Sequence, residues 1–263
     1  MSESVVRFAV EGSIAFATLN RPAHANAIDL PMAEALLDIA IRCDEDADIR
    51  CVVLSGEGRM FCAGGDLAQF AAARDQMPSL LSRLAGTLHS AISRLARMPK
   101  PLLVLVNGPA AGAGMSLALL GDIVLAADTA HFTVGYTAIG LSPDAGMTWL
   151  LPRLVGLRKA QDLIISNRRV TAKDAEAMGM ITRTVDGSAL AAAGAAMAQR
   201  LSQSAVGAVG LVRNLLLESL GASLESHLER EARVISAAGA GYEGQEGVAA
   251  FVAKRKPQFE GEK

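Results

Sequence analysis

Two glycine-rich turns, each closing an apolar run, constrain this chain most. Phe61-Cys62-Ala63-Gly64-Gly65-Asp66 comes a few residues after Cys51-Val52-Val53-Leu54, and Asn107-Gly108-Pro109-Ala110-Ala111-Gly112-Ala113-Gly114 directly follows Leu102-Leu103-Val104-Leu105-Val106. The apolar runs read as strands. A strand that stops at small residues leaves backbone N–H groups outside the sheet and unshielded by side chains. Two such turns facing each other can hold one ligand oxygen between two donors, the arrangement of an oxyanion hole. It would polarise a carbonyl, so the pattern points to acyl chemistry.

Glycine at strand-to-helix turns also serves purely steric ends. Neither turn continues into Gly-Lys-Ser/Thr, which excludes a phosphate loop. Leu117 stands where a dinucleotide fingerprint needs its third glycine after Gly112 and Gly114. Gly114-Met115-Ser116-Leu117-Ala118 imitates a nucleophile elbow, with Asp144 and His227 following in hydrolase order and Ala at the fifth position. On the residues alone, a serine hydrolase stays open beside the oxyanion-hole reading.

With 263 residues the chain can bury one substantial core and carry a small helical unit. Half of it is apolar, few residues are aromatic, and the abundant Ala and Gly suit closely packed α/β layers. A net charge of −2 gives no reason to expect a nucleic-acid or membrane partner. Cys43, Cys51 and Cys62 lack metal spacing and cannot all pair, so they read as reduced thiols of a cytoplasmic protein. Met1-Ser2-Glu3-Ser4 opens no secretion signal, and no apolar run approaches the length of a membrane span. His24, His89, His131 and His227 form no close pair, so no metal site is expected.

Val5–Val10 and Ile14–Leu19 predict a β-hairpin around Glu11-Gly12-Ser13. Asp29 is placed to cap a helix from Pro31 to about Arg42, and the acidic Asp44–Asp48 stretch reads as a solvated turn. A helix over Ser79–Arg97, a strand over Leu102–Val106, a helix over Gly112–Leu120 and a strand over Ile123–Ala127 follow. The alternation predicts an α/β core over residues 1–187, and the strandless remainder, 188–263, a helical C-terminal region.

Several stretches, in this order and spacing, resemble the crotonase, or enoyl-CoA hydratase/isomerase, superfamily over nearly the whole chain. They are Thr18-Leu19-Asn20-Arg21-Pro22, Phe61–Leu67, Val106–Gly114 with Gly121-Asp122-Ile123, Gly140–Gly146, Leu151–Gly156, Ala175–Met180 and Ala250–Arg255. The resemblance implies a spiral of ββα units, a C-terminal helical trimerisation region, and acyl-CoA thioester substrates. Oligomerisation as a homotrimer or dimer of trimers is implied, with no cofactor or metal beyond the CoA of the substrate. By position, Gly65 and Ala113 would supply the oxyanion-hole N–H groups, and Ala63, Phe251 and Lys254 would contact CoA, the last two often across a subunit boundary.

Family hydratases hold water with two glutamates, and the matching positions here are Ser116 and Tyr136. Neither is a carboxylate, so ordinary hydration of a 2-enoyl-CoA is disfavoured. Asp144, in Gly140-Leu141-Ser142-Pro143-Asp144-Ala145-Gly146, is the carboxylate left in a loop of small and apolar neighbours. As a lone Asp ahead of Met147-Thr148-Trp149 it would cap a helix. Ile139–Asp144 with Thr148–Arg153 beyond resembles instead the 2-(1,2-epoxy-1,2-dihydrophenyl)acetyl-CoA isomerase branch, in which the Asp shuttles a proton. A second branch, the 4-chlorobenzoyl-CoA dehalogenases, has an Asp nucleophile at the Asp144 position, a His base at the His89 position, and Trp where this chain has Tyr136. His89 also fits a packed position on its predicted helix beside Leu81, Leu84, Leu88, Ile92 and Leu95. A catalytically silent acyl-CoA-binding trimer is the non-enzymatic reading.

Overall fold

The computed structural model describes residues 4–260. Strands β1 (Val6–Glu11) and β2 (Ile14–Leu19) form the expected antiparallel hairpin, turning through Gly12 at φ +59°. Helix α1 (Leu30–Glu45) starts where its cap predicts: Asp29 Oδ1 accepts the Met32 N–H at 2.9 Å, with Pro31 in the first turn. Met32, Ala33, Leu36, Ala40 and Cys43 make its buried stripe. The helix runs three residues past Arg42, into the acidic stretch. Its last carbonyls have a use there: the Lys100 ammonium donates to the carbonyls of Cys43, Asp44 and Asp46 at 2.5, 3.2 and 2.5 Å.

Strand β3 (Cys51–Gly56) pairs with β2 in parallel, and β3 is followed by helices α2 (Leu67–Ala73) and α3 (Met77–Arg97). Next come β4 (Leu102–Val106), the two-residue β5 (Ala110–Ala111), α4 (Ala113–Leu119), β6 (Ile123–Ala127) and β7 (His131–Thr133). Helices α5 (Met147–Val155) and α6 (Leu157–Ser166), strand β8 (Val170–Thr171), helix α7 (Ala172–Ala177) and strand β9 (Arg183–Val185) complete the mixed part. Four helices end the chain: α8 (Leu190–Ser202), α9 (Val206–Ser219), α10 (Leu224–Ala240) and α11 (Tyr242–Val252).

The main sheet has the order β1-β2-β3-β4-β6-β9 and is parallel from β2 onward. Its centre reads as continuous apolar runs because both faces are covered; α8 packs across β2, β3, β4 and β6. A β-carbon on Gly194 of α8 would lie 2.5 Å from the Leu105 side chain, so a glycine permits this approach. A second small sheet, β5-β7-β8, stands apart from the first. Two-residue strands carry no readable alternation, so β5 and β8 were not expected. The stretch Gln69–Pro78, legible only as composition, forms most of α2, a short 3₁₀ turn and the start of α3.

The three thiols are free and buried. Burial pushes Cys43 up to about 11, and Cys51 and Cys62 to about 12. Among the described residues no helix is long and apolar enough to cross a membrane. Helices α9 to α11 present Leu216, Leu220, Leu224, Leu228, Phe251 and Val252 to solvent.

Candidate active site

The two glycine turns meet. Cys62 bridges Ala110 in parallel, with the Ala111 N–H donated to the Cys62 carbonyl at 2.9 Å. On its other side the first turn bridges Ile28: the Ile28 N–H reaches the Gly64 carbonyl at 2.7 Å and the Asp66 N–H reaches the Ile28 carbonyl at 3.0 Å. This pairing uses the residues flanking Gly65 and leaves the Gly65 N–H out. Ala113 opens α4 after Gly112, whose φ is +52°, so its N–H precedes the helical ladder. Among the described residues neither N–H has a hydrogen-bond partner. A β-carbon on Gly64 would sit 2.9 Å from the Ala111 carbonyl oxygen and 3.4 Å from the Ala113 nitrogen. Glycine is what lets the turns approach.

Asn26, which no motif indicated, and an ion-pair cluster of Arg21, Asp29 and Asp66 hold the first turn in place. Asn26, fully buried at φ +53°, donates its amide to the carbonyls of Glu57, Met60 and Phe61 at 2.9, 2.9 and 3.1 Å. Arg21 Nη2 lies 3.2 Å from Asp29 Oδ2 and 3.1 Å from Asp66 Oδ2, tying the α1 cap to the residue after Gly65. Asp66 Oδ1 in turn caps α2 through the Gln69 N–H.

A cavity of about 350 Å³ opens between these turns and α3. Leu67, Phe70, Leu81, Leu84 and Leu88 give it an apolar lining, and Ala63, Gly65, Ala113, Tyr136 and Asp144 line it too. Asp144 is the one carboxylic acid in that lining.

Asp144 does not cap α5. Gly146, at φ +78°, occupies the cap position with no side chain to offer, and the main-chain carbonyl of Asp144 accepts the Met147 N–H at 3.0 Å. The carboxylate is therefore available to the cavity. Tyr136 donates its hydroxyl to Asp144 Oδ1 at 2.5 Å. Burial first, then the charge of Asp144, raises the Tyr136 phenol far above its ordinary value, so it stays a donor. Ser116 Oγ is buried beside that phenol without reaching hydrogen-bond geometry.

His89, on α3, is half-exposed and completes the loop's contacts. Its Nε2 accepts the Ala145 N–H at 3.0 Å and lies 3.7 Å from Asp144 Oδ2. A nitrogen that accepts an N–H carries no proton, so the closeness to Asp144 is not an ion pair in this arrangement.

Asp144, Gly65, Ala113, Tyr136 and Ala63 thus line one cavity, with His89 behind Asp144. Phe251 and Lys254, at the end of α11, are exposed and lie outside that lining. His227 sits on α10, 3.4 Å from Glu231, also outside it, so Ser116, Asp144 and His227 do not assemble a hydrolase triad. Among the described residues no three His, Cys, Asp or Glu side chains group to hold a metal ion.

Residues 9–262 match the family model described as enoyl-CoA hydratase/isomerase. The chain is 38% identical over 253 residues to the 1,2-epoxyphenylacetyl-CoA isomerase of Escherichia coli K12, covering 96% of this chain and 97% of that one. It is 27% identical over 258 residues to the trans-2-decenoyl-[acyl-carrier-protein] isomerase of Streptococcus mutans, covering 97% and 98%. The crystal structure of an enoyl-CoA hydratase from Polaromonas sp. JS666 superposes with a TM-score of 0.92 at 32% identity, covering 96% and 98%. This chain belongs to the enoyl-CoA hydratase/isomerase family and has the crotonase fold.

Proposed function

We propose that the protein is an acyl-CoA isomerase that moves a double bond, or rearranges a ring epoxide, through a thioester enolate. The observation that carries this reading is that Asp144 is the single carboxylic acid lining the cavity that Gly65 and Ala113, with their unpaired N–H groups, also line. Asp144 takes a proton from the carbon next to the thioester carbonyl. The C–H electron pair moves into the bond toward the carbonyl carbon, and the carbonyl oxygen becomes an enolate held between the two N–H donors. The positive end of α4 adds to that stabilisation. The same carboxyl group returns the proton two carbons further along, which shifts the double bond into conjugation. No water is added, so one acid suffices, and the apolar wall formed by α2 and α3 keeps solvent from quenching the enolate.

Tyr136 holds Oδ1 of the shuttle, which leaves Oδ2 to take the proton. Ala63 borders the thioester end, and Phe251 and Lys254 would reach CoA from another copy, whose docking would cover the exposed apolar faces of α9 to α11. Sedimentation of the purified protein as a trimer or hexamer tests that arrangement. CoA enters as part of the substrate and no further cofactor is invoked.

The test is an ultraviolet assay on a 3-enoyl-CoA, in which conjugation to the thioester raises the absorbance. Wild type converts it, and Asp144→Asn loses on the order of 10²–10⁴ in kcat. No conversion with acyl-CoA binding intact would sink the isomerase reading. The closeness of His89 to Asp144 would then direct the search to 4-chlorobenzoyl-CoA and chloride release, and failure there to a silent acyl-CoA binder.

A further inference from the structure

We propose that His89 is a positioning residue for Asp144: by accepting the Ala145 N–H, its Nε2 holds the Asp144 loop in working order. The proposal rests on the isomerase reading for its kinetic part and on geometry alone for the rest.

The loop from Gly140 to Gly146 turns through the left-handed region three times, at Gly140 (φ +73°), Ala145 (φ +51°) and Gly146 (φ +78°). Glycine meets two of those needs freely; Ala145 does not, since an L-residue reaches that region only against its own β-carbon. Something must over-determine the conformation. The Ala145 side chain is buried, and its N–H is donated to His89 Nε2. His89 is thus the side-chain acceptor for the strained residue directly after the proposed shuttle.

The contact also sorts the two oxygens of Asp144. Oδ1 is taken by the Tyr136 hydroxyl. Oδ2 is 3.7 Å from a ring nitrogen that offers a lone pair, not a proton, so it is left without a donor there. An oxygen without a donor is the basic one. With Nε2 accepting, the ring proton of neutral His89 sits on Nδ1.

Two variants and one spectrum decide it. His89→Leu removes the acceptor, and kcat on a 3-enoyl-CoA is expected to fall on the order of 10- to 100-fold with KM little changed, the signature of a misplaced catalytic group. His89→Gln restores an acceptor oxygen that cannot titrate. It is expected to recover about tenfold of that loss. Proton–nitrogen correlation spectra of 15N-labelled protein, with His89→Gln to assign the signal, read the tautomer without any substrate. A neutral His89 protonated on Nδ1 supports the proposal, the more so because free imidazole side chains favour Nε2–H. A neutral His89 protonated on Nε2 overturns it. So does His89→Leu with wild-type kcat, or His89→Gln as slow as His89→Leu. If wild type turned over no 3-enoyl-CoA, the isomerase reading and the kinetic part of the proposal would fall together, while the spectrum would still decide whether His89 holds the Ala145 N–H.

Discussion

Gly114 rests its backbone on Cys62 so closely that a β-carbon there would lie 2.4 Å from the Cys62 carbonyl oxygen and 2.7 Å from its Sγ. Cys62 belongs to the turn that carries Gly65, and Gly114 to the helix that carries Ala113. This contact, with the Cys62–Ala110 bridge and the close approach at Gly64, sets the spacing of the two N–H donors. Gly114→Ala forces α4 away from a backbone atom that cannot yield. We expect a stability loss of about 1–3 kcal/mol in urea unfolding and a fall in kcat/KM of roughly 10²-fold as the donors separate. Gly86→Ala is the contrast. Gly86 lies inside α3 with nothing within 4 Å of the added carbon, so it should stabilise the fold by about 0.4–1 kcal/mol. Equal effects of the two substitutions would refute the packing account.

Tyr136→Phe keeps the ring and deletes the donor to Asp144 Oδ1. The expected result is a kcat lower by about tenfold with KM within about twofold, since the loss is of aim and not of binding. The same variant has an optical signature. Because burial raises the Tyr136 phenol, the native protein should hold one phenolic proton through an alkaline titration that the unfolded chain releases. Tyr136→Phe should abolish that difference; if it persists, another group is responsible.

Arg21 faces two nearly buried carboxylates, Asp29 and Asp66, and also donates Nη1 to the Ala27 carbonyl at 2.5 Å. Arg21→Ala leaves two negative charges without a counter-charge, which costs about 3–5 kcal/mol. Arg21→Lys should recover only part, because an ammonium cannot reproduce the fork. Full stability of the Lys variant in thermal melts would show that charge alone matters here.

The buried thiols predict alkaline sensitivity. Below their ordinary value of 9.0 both folded and unfolded chains hold the three protons, so no dependence arises. Above it the unfolded chain releases them while the folded one retains them up to about 11 or 12. Stability therefore declines as pH rises through this window, by about 1.4 kcal/mol per pH unit for each thiol. Urea titrations at successive pH values should show the slope, and Cys51→Ala should reduce it by about one third. An unchanged slope in that variant would assign the decline to other groups.

Local signals were legible where one element answers to its own residues. The hairpin, the Asp29 cap, α3 and the β4 and β6 strands follow from periodicity and capping. The paired N–H groups were legible as two separate turns; their meeting depends on the bridge from Cys62 to Ala110, which no local pattern encodes. Helix α2 escaped because seven residues, Leu-Ala-Gln-Phe-Ala-Ala-Ala, are too few to display a stripe. Asp144 was ambiguous because an Asp three residues ahead of a helix fits a cap as well as an acid, and only the placement of Gly146 at the cap decides. His89 carries helical spacing like its apolar neighbours, while its partner is a main-chain N–H 56 residues away. The Arg21–Asp29–Asp66 cluster joins residues scattered over three segments, so charge counting alone says nothing of it.

Helix α3 supplies Leu81, Leu84 and Leu88 to the acyl wall and, one residue later, the His89 that braces the Asp144 loop. On the proposed reading, substrate range and reactivity are thereby mounted on one rigid lever. A bulkier acyl group accommodated by shifting α3 would drag the loop with it, so selection for new substrates along this helix would be penalised by slower turnover. Leu67, which borders the same cavity from α2, offers a route to a changed acyl preference that leaves this lever in place.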